Sequence, residues 1–246
     1  MYKHLLERQF DNLTFSYAKR PKTIPAVLSP QQVSAIISHL KTPYKLLVSI
    51  LYGSGLRLNE TLRLRIKDID FSNQTLFVFR GKGQKDRVTL LPNQLNDAIA
   101  KQIEKVKLMH NQDLQAGFGL TSLPASLNRK YNSAMKDFGW QYLFPSTTRC
   151  NHPIDGYICR HHLHPTTLSK QIRQSVLKAN IPKKVSAHTF RHSFATSLLI
   201  NGTDIRTVQT LLGHTDLRTT EIYTHVVGQR HTGTVSPFDN IANELT

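Results

Sequence analysis

Cysteine occurs twice in 246 residues, tryptophan once and methionine three times, and 16 acidic residues stand against 32 lysines and arginines. Two thiols, Cys150 and Cys159, are too few for a disulfide framework and suit a reducing compartment. No apolar run approaches the length of a spanning helix, no basic-then-apolar leader is visible, and no internal repeat or low-complexity tract appears. The shortage of acid leaves a net charge of +16 and a pI near 10.0. So basic a chain calls for a polyanionic partner, because each phosphate neutralised releases counterions. With the membrane set aside, that partner is nucleic acid. A hydrophobic content of 39% is enough for a true core in one large domain or two small ones.

Phosphate chemistry is densest between Ser186 and His225. There His188 and Arg191 lie three residues apart, Gly213 precedes His214, and Tyr223 follows nine residues later. Ser186 reads as an N-cap of a helix that projects His188 and Arg191 from one face and buries Phe190, Phe194 and Leu198 on the adjoining stripe. Asn201-Gly202 ends that helix. A second, from Asp204 to Leu212, stops at Gly213, and a third from near Thr215 delivers Tyr223. Each residue alone is most often structural. It is the conjunction that carries the chemistry: H-x-x-R-H, then L-L-G-H, then the tyrosine.

That string resembles the catalytic half of the tyrosine recombinase (phage integrase) family. Two further motifs extend the likeness. Y-G-S-G-L-R-L-N-E sets Arg57 after a glycine turn at a helix start, where free backbone N–H groups add to its attraction for an anion, and it resembles the family's first arginine box. Thr75–Phe79 and Arg87–Leu91 read as a hairpin around Gly81-Lys82-Gly83, where the resemblance makes Lys82 a catalytic lysine and gives Lys85 and Arg87 contacts to the DNA backbone. The expected fold is therefore mainly α with a small antiparallel β-sheet (α+β), the tyrosine recombinase catalytic domain.

Around these boxes, Ser29-Pro30-Gln31-Gln32 signals a capped helix to about Leu40, with a second helix from Pro43 to Tyr52. Pro92 to about Gln115 reads as one amphipathic helix with Leu95, Ile99, Ile103, Val106 and Leu108 near one side. Residues 117–146 look like an inserted helix followed by an aromatic cluster of Tyr131, Phe138, Trp140, Tyr142 and Phe144. The insertion, with Arg160-His161-His162 and Ser236-Pro237, resembles the integron integrase subgroup. Arg129, Lys130, Trp140, Arg160, His161 and His162 are then expected to contact DNA, with Lys170 and Arg173 on a basic helix from Pro165 to Ala179 that lies beside the catalytic helix. Cys150-x-His152 and Cys159-x-His161-His162 match no zinc finger or ribbon, and no metal is expected.

The domain layout expected is 1–25 as a linker or remnant, 26–228 as the catalytic domain and 229–246 as a tail docking on a neighbouring protomer. The family's N-terminal module is missing, as in a natural truncation or a fragment. The resemblance implies attack by Tyr223 on a phosphodiester and a 3′-phosphotyrosyl link. Arg57 and Arg191 would hold the non-bridging oxygens, His188 would act as base, Lys82 as acid and His214 as a further phosphate donor. No cofactor is needed, because the covalent link conserves the bond energy. It further implies DNA recombination sites, including folded single-stranded cassette ends, as partners, a homotetramer on DNA, and a bacterial cytoplasm. The alternatives are a truncated, non-catalytic DNA-binding remnant and a type IB topoisomerase. The insertion and tail argue against the latter.

Overall fold

The computed structural model describes residues 25–79, 81, 85–123, 132–152 and 154–231. Helices dominate. α1 (Pro30–Ser38) opens on the expected capping box: the Ser29 hydroxyl accepts from the Gln32 N–H at 3.2 Å while Gln32 Oε1 accepts from the Ser29 N–H at 3.1 Å. α2 (Tyr44–Ser54) is apolar nearly all round, with Leu47, Val48, Ile50 and Leu51 fully buried. Such a helix belongs at the centre of a core. It ends at Gly55 in the left-handed conformation, φ 63°. A Cβ there would lie 2.3 Å from the Phe194 ring, so only glycine permits the turn.

α3 (Leu58–Leu62) follows at once, then a three-stranded antiparallel sheet in the order β1 (Ile69–Asp70), β2 (Thr75–Val78), β3 (Arg87–Leu90). Its register pairs Thr75 with Leu90 and Val78 with Arg87. Leu76 and Val78 face the core, whereas Phe77 and Phe79 alternate to the open side. β1 is an addition to the expected hairpin; a two-residue strand is too short to leave a sequence pattern.

A 3-10 turn over Asn93–Leu95 precedes α4 (Asn96–Gln115), so the expected single helix starts later than Pro92. Its buried face is Ile99, Gln102, Val106, His110 and Asp113, and Leu108 is 63% exposed. The expected stripe counted apolar residues, but polar ones are buried here by specific partners. Gln102 donates to the Leu143 carbonyl at 3.0 Å, and Asp113 is held by Arg160. In the 117–146 segment the described residues form short 3-10 turns at Asn132–Met135 and Phe138–Trp140. Residues 124–131 of this segment, within which the inserted helix is expected, lie outside the described residues.

β4 (Cys150–Asn151) pairs with β5 (Ile158–Cys159), and α5 (Pro165–Lys178) packs chiefly on α1 and α3. α5 is expected beside the catalytic helix, and its Leu168, Ile172 and Val176 do share the larger apolar cluster with Ala187 and Phe190. The main partners of α6 (Ala187–Ile200) are α2 and α8 (Arg218–His231). α7 (Ile205–Leu212), capped by Asp204 and closed by left-handed Gly213, completes the group. Two apolar clusters result. The larger is built around α2, and the smaller is formed by Phe194, Ala195, Val208, Leu212 and Tyr223. No helix among the described residues is long and apolar enough to cross a membrane.

Candidate active site

Four elements converge where α6 passes the Gly55 turn. Arg191, 3% exposed, donates to the carbonyls of Gly55 at 2.5 Å and Leu212 at 2.6 Å, so it clamps the ends of α2 and α7. Burial first and the nearby Arg57 second lower its pKa to about 9, which leaves it charged at neutral pH. Arg57 stands at the start of α3. Its own N–H goes to Glu60 Oε2 at 2.9 Å and its Nη1 to Glu60 Oε1 at 2.8 Å. The expected contribution of free helix N–H groups is therefore corrected, since α3 has only five residues and its cap donor is occupied by its own carboxylate.

Glu60 also takes Arg87 bidentately, at 2.9 and 2.6 Å, and lies 3.9 Å from Arg191. Burial raises its pKa, but Arg87 and Arg57 outweigh that and hold the carboxyl at about 2. One anion thus tethers cations that would otherwise repel.

His214, just past Gly213, has an orientation set by two bonds: Nε2 to Arg191 Nη2 at 3.1 Å and Nδ1 to Thr220 Oγ1 at 3.0 Å. Guanidinium only donates, so Nε2 must accept and the proton sits on Nδ1. Burial, then Arg191 and Arg57, depress this imidazole to about 3 and keep it neutral. Tyr223 on α8 is 1% exposed, and its hydroxyl meets His192 Nδ1 at 2.9 Å. Burial raises the phenol pKa, opposed by the charges of Arg191 and Arg57. Its ring lies 6.4 Å from that of His214 in a near-parallel orientation. A cleft of about 740 Å³ is lined by Arg57, Glu60 and His188 together with Lys67, Trp140 and His161.

A buried Arg191 and a half-buried Arg57 beside one carboxylate, with a tyrosine in their field, form an arrangement fit for holding a phosphodiester against a nucleophile. Residues 26–230 match the family described as "Phage integrase family". The chain belongs to the phage integrase family. An "Integrase/recombinase" of Escherichia coli is 40% identical over 218 residues, 89% of this chain and 65% of that protein. "Tyrosine recombinase XerA" of Pyrococcus furiosus is 35% identical over 214 residues, 86% of this chain and 61% of that one. The chain thus spans less than two thirds of the length of either relative. Among solved structures, the XerA recombinase superposes with a TM-score of 0.61 at 28% identity, covering 86% of this chain and 67% of that one. The XerH recombinase bound to its difH substrate superposes with a TM-score of 0.63 at 24% identity, covering 94% and 58% of the two chains, a likeness of fold.

Within this integrase fold, Arg57, Arg191, His214 and Tyr223 come together as expected from sequence, with exposed His188 at the cleft. Lys82 lies outside the described residues, as do Arg129, Lys130, Tyr131 and the expected tail from 232 on; residues 229–231 continue α8. His192 is the residue sequence reading passed over. It stands in the quoted H-x-x-R-H string, but one residue after a buried arginine it carried no role. Nothing in a linear motif shows that α8 turns Tyr223 back onto it.

Several expected DNA contacts are corrected. Arg87 is tied to Glu60 and to the Leu211 carbonyl at 3.0 Å, which leaves its guanidinium inside the protein. Arg160 grips Asp113 at 2.6 and 2.7 Å and donates to the Ser146 and Thr147 carbonyls, so it fastens α4 to β5. His162 donates Nδ1–H to the Leu163 carbonyl at 2.8 Å and packs edge-on to Tyr142; burial and then His161 depress it to about 4. Trp140 and His161 do line the cleft, and Lys67 Nζ sits 3.4 Å from the Trp140 ring centre. Tyr142 and Phe144 are core residues. Lys85, Lys170 and Arg173 are exposed. Cys150 and Cys159 face each other across β4 and β5, and burial followed by the Cys150 neighbour pushes the Cys159 thiol up to about 12. A thiol held protonated is a poor metal ligand. Among the described residues no group of three or more His, Cys, Asp or Glu is placed to hold a metal.

Proposed function

We propose that this chain carries the strand-cleaving and rejoining activity of a site-specific tyrosine recombinase. The observation that carries the reading is the joint burial of Arg191 and Tyr223 around His214, with Glu60 fixing Arg57 alongside. Structural residues have no need for a cluster of cations sharing a single carboxylate. In the proposed reaction a phosphodiester enters between Arg57 and Arg191, and its charge replaces the repulsion between them. Tyr223 Oη attacks phosphorus in line, and Lys82 protonates the departing 5′-oxygen. His188, expected from sequence as the base, lines the cleft with Arg57, whereas the imidazole in contact with the Tyr223 hydroxyl is that of His192. With Tyr223 1% exposed, phosphate reaches its hydroxyl only after α8 shifts, so DNA binding itself would release the nucleophile. A non-catalytic DNA-binding remnant has no use for this preserved constellation.

Incubation with a nicked suicide substrate, followed by a denaturing gel, tests the reading. Wild type should form a covalent adduct, and Tyr223→Phe should form none while binding DNA with affinity within about threefold, since the lost hydroxyl removes little area and no charge. An adduct in the variant would remove Tyr223 from its role.

The finer reading, an integron-type integrase that assembles as a tetramer on folded single-stranded cassette ends, is supported by the cleft beside the catalytic arginines. Trp140 and His161 line it together with Lys67, an aromatic and basic surface suited to an unpaired base. Stacking contributes about 1 to 3 kcal/mol per base. Trp140→Ala should therefore weaken binding to a hairpin with protruding bases by about that amount and leave the perfectly paired stem unaffected. Equal losses on both would assign Trp140 to the Lys67 and Arg65 packing alone.

A further inference from the structure

His192 sits one residue beyond the arginine clamp, half-buried, on the face of α6 that α8 covers. Its Nδ1 lies 2.9 Å from Tyr223 Oη and its ring centre 5.5 Å from the tyrosine ring. His188, one turn earlier on α6, is 6.4 Å away ring to ring. The charged or titratable groups around it are His188 and Arg191 on α6, His214 after α7 and Tyr223 on α8. Burial, then His188 and Arg191, depress its pKa to about 4, so in the free protein the ring is neutral and has a lone pair to offer.

We infer that His192 is the proton acceptor of the cleavage step, taking the Tyr223 hydroxyl proton on Nδ1 as Oη attacks phosphorus. The inference rests on the recombinase reading proposed above and adds a residue to it. As the Oη–P bond forms, the Oη–H electrons stay on oxygen and the proton passes to Nδ1. The P–O5′ bond breaks with its electron pair, and the 5′-oxygen takes a separate proton from the acid proposed as Lys82. Religation returns the His192 proton to Oη, so the cycle closes without net change. A bound phosphate changes the field at His192. Its negative charge between Arg57 and Arg191 offsets the repulsion that weakens His192 as a base, so basicity rises when substrate is in place.

Three chains separate this role from its competitors: wild type, His192→Asn and His192→Phe. Asn offers an oxygen near the place of Nδ1 and can position the hydroxyl without taking its proton; Phe keeps the ring and does neither. With the nicked suicide substrate at pH 7, both variants should form adduct about 10² to 10⁴ times more slowly than wild type. Their rates should climb about tenfold per pH unit, because only tyrosinate then attacks, while the wild-type rate stays flat from pH 7 to 8. DNA affinity by gel shift should be unchanged. Wild-type rates in His192→Asn would reduce His192 to a positioning residue, and faster cleavage in either variant would make the contact a latch; both overturn the inference. A substrate with a bridging 5′-sulfur, which needs no acid, should leave the defect in place; rescue would assign His192 to the leaving group instead. ¹⁵N NMR of the free protein provides a readout independent of turnover. The inference requires an unprotonated His192 Nδ1, and a protonated one overturns it alone. Complete absence of a Tyr223-dependent wild-type adduct would bring down the recombinase reading and this inference together.

Discussion

Glu60 ties Arg57 and Arg87 together through a single carboxylate and stands 3.9 Å from Arg191. The motif R-L-N-E places it three residues after Arg57, but nothing in the sequence says that Arg87, from a strand of the hairpin, will reach it. This is why Arg87 reads from sequence as a DNA contact. Glu60→Ala leaves a buried guanidinium unpaired and should lower stability by about 3 to 5 kcal/mol, measured by denaturant unfolding. The same carboxylate has a signature in pH. Its pKa falls from 4.5 to about 2 on folding, so its contribution is complete above pH 4.5 and is lost as pH falls through 2. Glu60→Gln should flatten that part of the unfolding profile. The identities of Arg57, Arg191, His214 and Tyr223 were legible because chemistry requires those residue types at fixed spacings. The partners of Arg160 and His192 were not, because ion pairs and hydrogen bonds between distant segments leave no periodicity.

At the scale of elements, helices with explicit caps were read well. Ser29 with Gln32, Asp204 with the Arg206 and Thr207 N–H groups, and Gly213 at a left-handed stop all behave as their residue types dictate. Elements whose burial depends on polar partners were read poorly, as the α4 face shows. Gly55 has the most to carry. It sets the sharp exit from α2, leaves room for Phe194, and presents the carbonyl that Arg191 grips. An Ala at φ 63° is strained and would overlap the Phe194 ring. Gly55→Ala should cost about 2 kcal/mol or more in thermal unfolding and reduce adduct formation beyond what lost stability explains, since Arg57 and Arg191 both index on that turn. Wild-type cleavage by a fully folded variant would show that the turn shapes the core alone.

The whole molecule couples stability to neutral histidine. His162 and His192 are depressed to about 4 and His214 to about 3, in each case chiefly by burial and then by neighbouring cations or histidines. Unfolding frees each ring to its ordinary value of 6.5, where it binds a proton that the folded state refuses. The unfolded chain therefore takes up more protons as pH falls below 6.5, and linkage makes folding less favourable there. The penalty keeps growing until pH passes the folded pKa values of about 4 and 3. A net charge of +16 already strains the compact state, and acid adds cations to it. Tm should accordingly be level from pH 8 to 7 and fall steadily from pH 6.5 to 4.5, with Glu60, whose unfolded carboxyl titrates near 4.5, adding to the slope only at the acid end of that window. His162→Phe, in the half-buried packing against Tyr142 and remote from the reacting hydroxyl, separates stability from catalysis: it should remove part of the slope and leave cleavage at pH 7 near wild type. A Tm that held constant from pH 6.5 to 4.5 would mean that these rings are protonated in the fold, and would undo the proton placement on His214 argued from Arg191.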